Sequence, residues 1–190
     1  MKDEKELIER AQRGEMGAFR ELVERYQKTV YFLALDLCGC RQDAEDISQE
    51  VFLKAYRFLP NFRGEARLSS WLYRITVNCF MDTRRKTQLQ TLSLHNDAPG
   101  ENHPPELSLP DPGADPSAPA RSHELQQLIR RALGRLSPRE RSVFVLRHYQ
   151  ELPLKEIGEM LEIAEGTVKA LLFRAIKRLQ KELAIYQAEV

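Results

Sequence analysis

The chain has 190 residues, 42% of them hydrophobic and 30% charged, with a formal net charge of +1, an ordinary composition for a globular protein. No apolar run approaches the ~20 residues that span a bilayer, and the charged start MKDEKELIER lacks the apolar stretch of a signal peptide, so no membrane insertion is expected and the cytoplasm is the expected location. Three cysteines, Cys38, Cys40 and Cys79, are too few for a disulfide framework or a closed four-ligand zinc site; no metal or other cofactor is expected.

The first strong pattern is Phe19, Leu22, Val23, Tyr26 and Val30, whose three-to-four-residue spacing predicts an amphipathic helix, with Gly39 as its stop. Asp43 then reads as an N-cap and Asp46 as its capping-box partner. The stripe Ile47, Val51, Phe52, Ala55 and Phe58 continues that helix up to Pro60. Its acidic start, Asp43, Glu45 and Asp46, is explained by capping and the helix dipole alone. An exposed Gln49 beside Phe52 or Leu53 could also form a docking face for partner helices.

A loop over Asn61–Ser69 leads to a helix capped by Ser69 or Ser70 and running to about Lys86. This stretch interleaves Phe62, Trp71, Tyr73 and Phe80 with Arg63, Arg67, Arg74, Arg84, Arg85 and Lys86. Aromatic rings stack on unpaired bases while cations follow the backbone, so the mixture suits single-stranded DNA, and the loop around Gly64 could hold a base taken out of the stack. The competing explanation is structural: Trp71, Ile75, Asn78 and Asp82 fall on one helical face, and Trp71 could simply be core.

Seven of the ten prolines lie between Pro99 and Pro119, in a stretch without basic residues and with few large apolar ones. Such a segment cannot bury enough surface to offset its ordering entropy, and it reads as a flexible Pro-rich linker over 91–121. Charge divides along the same lines: +2 over 1–90, −5 over 91–120 and +4 over 121–190. The expected fold is all-α, with two small helical domains, 1–90 and 122–190, on a tether.

In the second domain Leu125, Leu128, Ile129, Ala132 and Leu133 form one stripe. Ser137-Pro138-Arg139-Glu140 combines an N-cap serine, a proline at the first helical position and a capping-box glutamate, and Pro153 is expected to open the next helix the same way. A short helix holding Ile157, Gly158 and Leu161, the turn Glu162–Glu165 and a longer helix from near Gly166 have the layout of a helix-turn-helix. Gly158 is small where the two helices would cross. Val168, Leu172, Ala175 and Leu179 are expected to face inward, leaving Thr167, Lys169, Ala170, Phe173, Arg174 and Lys177 outward. Arg174 could grip a guanine edge, with Lys169 and Lys177 on phosphates. An ordinary helical hairpin with a basic outer face is the alternative.

Taken in order, DAEDISQEVFLKAYR, FRGEARLSSWLYRITVNCFMDTRR and SPRERSVFVLRHYQELPLKEIGEMLEIAEGTVKALLFRAIKRL resemble the extracytoplasmic-function (ECF) group of the sigma-70 family over nearly the whole chain. The resemblance implies a non-enzymatic subunit that binds core RNA polymerase and directs promoter-specific initiation. By its pattern Asp43, Asp46, Gln49, Glu50, Phe52 and Leu53 would dock on the polymerase β′ clamp helices, while the C-terminal domain would meet the β flap. Phe62, Arg63, Arg67, Trp71, Arg74, Asn78, Arg84 and Arg85 would melt and hold the −10 promoter element. Thr167, Lys169, Ala170, Phe173, Arg174 and Lys177 would read the −35 element, and an anti-sigma factor is an expected partner. The chain departs from the pattern in reading GTVKALL where GTVKSRL is frequent, with Ala170 and Leu171 replacing serine and arginine, and in having Glu162 where the turn often has glycine. A stand-alone helix-turn-helix regulator that binds duplex DNA without polymerase would explain residues 122–185 and leave the first domain unexplained.

Overall fold

The structure is a computed structural model and describes residues 4–94 and 128–188. Every regular element among these residues is helical. The chain divides into two compact units, with the division between Thr83 and Arg84.

The first unit contains α1 (Glu4–Gln12), α2 (Met16–Cys38), α3 (Arg41–Phe58), a 3-10 turn (Leu59–Asn61) and the start of α4 (Leu68–Leu94). Helix α1 has no counterpart in the sequence reading. It buries Leu7 and Ala11 against the bundle, and Tyr26 on α2 donates a hydrogen bond to the Glu4 carboxylate. Burial, then that hydrogen bond, pushes the Tyr26 hydroxyl well above its ordinary pKa. Helix α2 does end at Gly39, whose φ of 77° is a left-handed C-cap that glycine adopts without a Cβ clash.

Helix α3 starts three residues earlier than expected. Its N-cap is Cys40, in extended conformation and without a side-chain cap bond, so Asp43 lies inside the first turn rather than capping it. The turn after Gly39 is so short that the backbone bond from Ala44 N–H to Cys40 O already begins the helix. Ile47, Val51 and Ala55 are buried as expected, but Phe58 is 48% exposed because the chain tightens there into the 3-10 turn, which buries Leu59 instead.

Helix α4 begins at Leu68, so neither Ser69 nor Ser70 is its cap: Trp71 N–H already donates to Arg67 O. Burial of Leu68 and Leu72 anchors this end. The helix also runs past Lys86 to Leu94, because TQLQTLSL has no glycine or proline to stop it. The first four residues assigned to the linker are thus helical, and the rest of the linker lies outside the described residues, as does Leu125.

The second unit takes the end of α4 from Arg84 and contains α5 (helical over 128–134), α6 (Pro138–His148), α7 (Leu154–Leu161) and α8 (Glu165–Ala188). Ala132, Leu133 and Leu136 pack with Ala175 and Leu179 of α8. The capping box at α6 is complete: Glu140 N–H donates to Ser137 Oγ at 3.3 Å, and Ser137 N–H donates to Glu140 Oε2 at 3.1 Å. Pro153, by contrast, is the N-cap of α7 rather than its first residue; its extended ψ of 147° places it outside the helix while its carbonyl accepts from Ile157 N–H.

Candidate nucleic-acid interface

The turn Glu162–Ala164 joins α7 to α8, giving the helix-turn-helix. Glu162 takes the left-handed conformation, φ 56° and ψ 43°, at the position where the family pattern often has glycine. Ile163 N–H donates to Gly158 O at 2.9 Å, and a Cβ placed on Gly158 would lie 2.8 Å from Ile163 O. The two helices therefore cross where a methyl group has no room.

On α8 the inward residues are Val168, Leu171, Ala175 and Leu179. This corrects the expected register at one position. Leu171, 7% exposed, takes the inward place given to Leu172, which is half-buried. The steps from Val168 are then three, four and four residues, which keep a stripe on one side of a long helix. Leu171 thus fills the core where the related pattern has arginine.

All six residues expected to face outward, Thr167, Lys169, Ala170, Phe173, Arg174 and Lys177, are exposed. Phe173 keeps 59% of its surface in solvent, and Lys177 Nζ sits 4.7 Å from its ring centroid. An exposed ring on a reading face is suited to a thymine methyl. Lys169 Nζ is 2.7 Å from Glu165 Oε1; this hydrogen bond, then the charge of Lys169, lowers the Glu165 carboxyl below its usual range. Arg174 Nε is 3.9 Å from Glu140 Oε1, and Arg178 Nη1 is 3.3 Å from Glu140 Oε2. This link from α6 to α8 goes beyond the capping role that the sequence pattern gives Glu140.

In the first unit, Arg63 and Arg67 are exposed in the loop before α4. Gly64 there has φ +70°, again a left-handed position. Trp71, Arg74, Asn78 and Arg85 follow at steps of three, four and seven residues and share one face of α4. Arg74, Asn78 and Arg85 are exposed, and Arg84 is half-exposed. Trp71 is in part a core residue, as the structural explanation expected. It is half-buried, lining a small apolar cleft with Phe19, Leu22, Phe52 and Leu59, and it packs on Phe62 with ring centroids 5.1 Å apart. The loop carrying Phe62 is held from α1: Gln12 Nε2 donates to Leu59 O at 3.0 Å and to Phe62 O at 2.7 Å.

On α3, Asp46, Gln49 and Glu50 are exposed and Asp43 is half-buried. Of the two apolar neighbours considered for Gln49, Leu53 is 67% exposed, whereas Phe52 turns partly into the cleft with Trp71. Cys38 Sγ donates to Cys40 O at 3.0 Å, and burial raises the Cys79 thiol above its ordinary pKa. Among the described residues no group of three or more His, Cys, Asp or Glu side chains could hold a metal ion, and no helix is long and apolar enough to cross a membrane.

A helix-turn-helix with cations and an exposed ring on its second helix, joined in one chain to a helical unit bearing an aromatic–cationic strip, defines a two-domain DNA-binding protein. Residues 22–90 match Sigma-70 region 2, and residues 132–181 match Sigma-70, region 4. The chain is 34% identical to the ECF RNA polymerase sigma factor SigW of Bacillus subtilis, over 94% of this chain and 96% of that one. It is 35% identical to the ECF RNA polymerase sigma-E factor of Escherichia coli K12, over 89% and 88%. Its fold is similar to that of the sigma factor RpoE in complex with the anti-sigma factor NepR from Bartonella quintana (TM-score 0.66, 22% identity, 88% of this chain and 97% of that one). It is similar also to CnrH in complex with the cytosolic domain of CnrY (TM-score 0.66, 21% identity, 98% and 99%). The chain belongs to the ECF RNA polymerase sigma factors of the sigma-70 family. It binds core RNA polymerase and directs promoter-specific transcription initiation.

Proposed function

We propose that the two units divide the promoter between them. Helix α8 reads the −35 element in the major groove, with Phe173 and Arg174 on base edges, Lys169 and Lys177 on phosphates, and Thr167 and Ala170 lining the approach. Arg63, Arg67, Arg74, Arg84 and Arg85 hold the strand opened at the −10 element, while Phe62, Trp71 and Asn78 meet its bases. Asp43, Asp46, Gln49, Glu50, Phe52 and Leu53 dock on the β′ clamp helices. The domains extend over 1–90 and 122–190, with 91–121 as the tether between them. The chain works in the cytoplasm, hydrolyses no nucleotide and opens DNA with binding energy. An anti-sigma factor restrains it, as the complex of the similarly folded RpoE with NepR suggests.

The observation that carries the −35 assignment is the segregation on α8: Val168, Leu171, Ala175 and Leu179 are buried while all six proposed reading residues are exposed. The test is run-off transcription with core RNA polymerase and the purified chain on genomic DNA fragments. Discrete transcripts that require both components are expected. Arg174→Ala should weaken −35-dependent initiation while leaving core binding intact; loss of core binding in that variant would overturn the assignment.

A further inference from the structure

The Glu140 side chain is 4% exposed, yet two cations of the proposed reading helix point at it. One oxygen lies 3.9 Å from Arg174 Nε and the other 3.3 Å from Arg178 Nη1, while Ser137 N–H donates to the second oxygen as well. Both arginine side chains remain more than half exposed. A buried carboxylate needs such partners, and the capping box supplies one backbone donor only. A local cap would be served as well by glutamine; the two arginines distinguish glutamate.

Resting on the −35 assignment above, we propose that Glu140 is a positioning residue for DNA readout. Its carboxylate lies on the Nε side of the Arg174 guanidinium at 3.9 Å, an ion-pair rather than a hydrogen-bond distance, and leaves the terminal nitrogens, Nη1 and Nη2, to form the two-pronged contact with guanine O6 and N7. A guanidinium is a planar fork, so fixing one edge fixes the direction of the other. Without the carboxylate Arg174 keeps its charge but loses its aim. Glu140 also belongs to the first turn of α6, which ties the reading arginine to a helix with a complete capping box rather than to α8 alone.

Glu140→Gln is the discriminating variant, because glutamine at this position preserves the capping box and removes the charge. Holoenzyme made from core RNA polymerase and the full chain is allowed to select among promoter duplexes randomised over the −35 region. The selected pools are compared for the wild type, R174A, E140Q and the double variant. R174A is expected to flatten the preference at one base pair by roughly tenfold, the size of one bidentate guanine contact. E140Q should flatten that same position and spare the others, and the double variant should be no worse than R174A. Circular-dichroism melting checks that E140Q is folded. Arg178→Ala, which leaves the carboxylate to Arg174, should keep the preference. Retention of the full preference in folded E140Q, while R174A loses it, would overturn the positioning role and leave the −35 assignment standing. Loss of the preference in R178A would overturn the positioning role too. An R174A pool identical to wild type would remove the −35 role of Arg174 and this proposal with it.

Discussion

Replacing Gly158 by alanine should weaken the second unit even though alanine is the better helix former. The added Cβ would lie 2.8 Å from Ile163 O, a backbone atom, and 3.6 Å from both Glu165 N and Val168 Cγ2. An ordinary carbon–oxygen contact is about 3.4 Å, so the turn has to retreat by about 0.6 Å. That movement strains the 2.9 Å hydrogen bond from Ile163 N–H to Gly158 O and shifts the start of α8. Overpacking costs about 1–3 kcal/mol, and because the atom met is backbone rather than a flexible side-chain end the upper part, about 2–3 kcal/mol, applies; alanine's helix propensity recovers about 1 kcal/mol, leaving a net loss of about 1–2 kcal/mol. For a domain of this size the melting temperature should fall by about 5–15 °C. Circular-dichroism melting of the full chain measures the loss, and amide hydrogen exchange across α7 and α8 assigns it to this unit. Gly166→Ala is the internal control: nothing lies within 4 Å of its Cβ, so the same substitution eight residues later should be neutral or slightly stabilising. If G158A melts at or above the wild type, the crossing is not the close contact described above.

Three further outcomes are expected. Lys169→Ala should weaken holoenzyme binding to −35 duplex and flatten its log–log salt dependence by about 0.9; an unchanged slope would mean that Lys169 meets no phosphate. Gln12→Ala removes two hydrogen bonds from the turn that carries Phe62 and should cost about 1–2 kcal/mol. Trp71 is the chain's one tryptophan and packs at a tilt against Phe62, so denaturant titration followed by its fluorescence reads this directly, and an unmoved midpoint would count against the clamp. Tyr26, whose pKa is raised from 10.0, binds its proton more tightly in the folded state. Its stabilising contribution should be whole below pH 10 and lost as pH rises above it; the stability gap between wild type and Tyr26→Phe should narrow over that range, and a constant gap would refute the coupling.

What was legible in the sequence is what local chemistry dictates. Gly39 ends α2 because the chain must turn left-handed there, and Ser137 with Glu140 caps α6 because the spacing allows both hydrogen bonds. Elements that begin by burial were harder to place. Helix α4 starts on Leu68 with two serines standing just after it as false caps, and α1 is held by Leu7, Ala11 and the Tyr26–Glu4 bond. The register of α8 was ambiguous because Leu171 and Leu172 are adjacent leucines, one step of 100° apart on a helix. The structure resolves it by placing Leu171 in the core.

The interface shows the same limit at longer range. Gln12 and Phe62 are separated by 50 residues, and Glu140 and Arg174 by two intervening segments, so no periodicity connects them. Gln12 lies on α1, a helix the sequence pattern did not announce, and Glu140 was already explained locally as a cap. A capping residue is nevertheless a good place for a distant link. Its backbone is fixed by the first turn of the helix, so its side chain reaches a partner with little further loss of conformational freedom. Placing the support for a reading arginine on such a residue separates two demands that would conflict on α8 itself. The exposed face of that helix stays free to vary with the promoter sequence, while the device that aims Arg174 sits on α6, where substitution by glutamine would leave the fold intact and still disturb the reading.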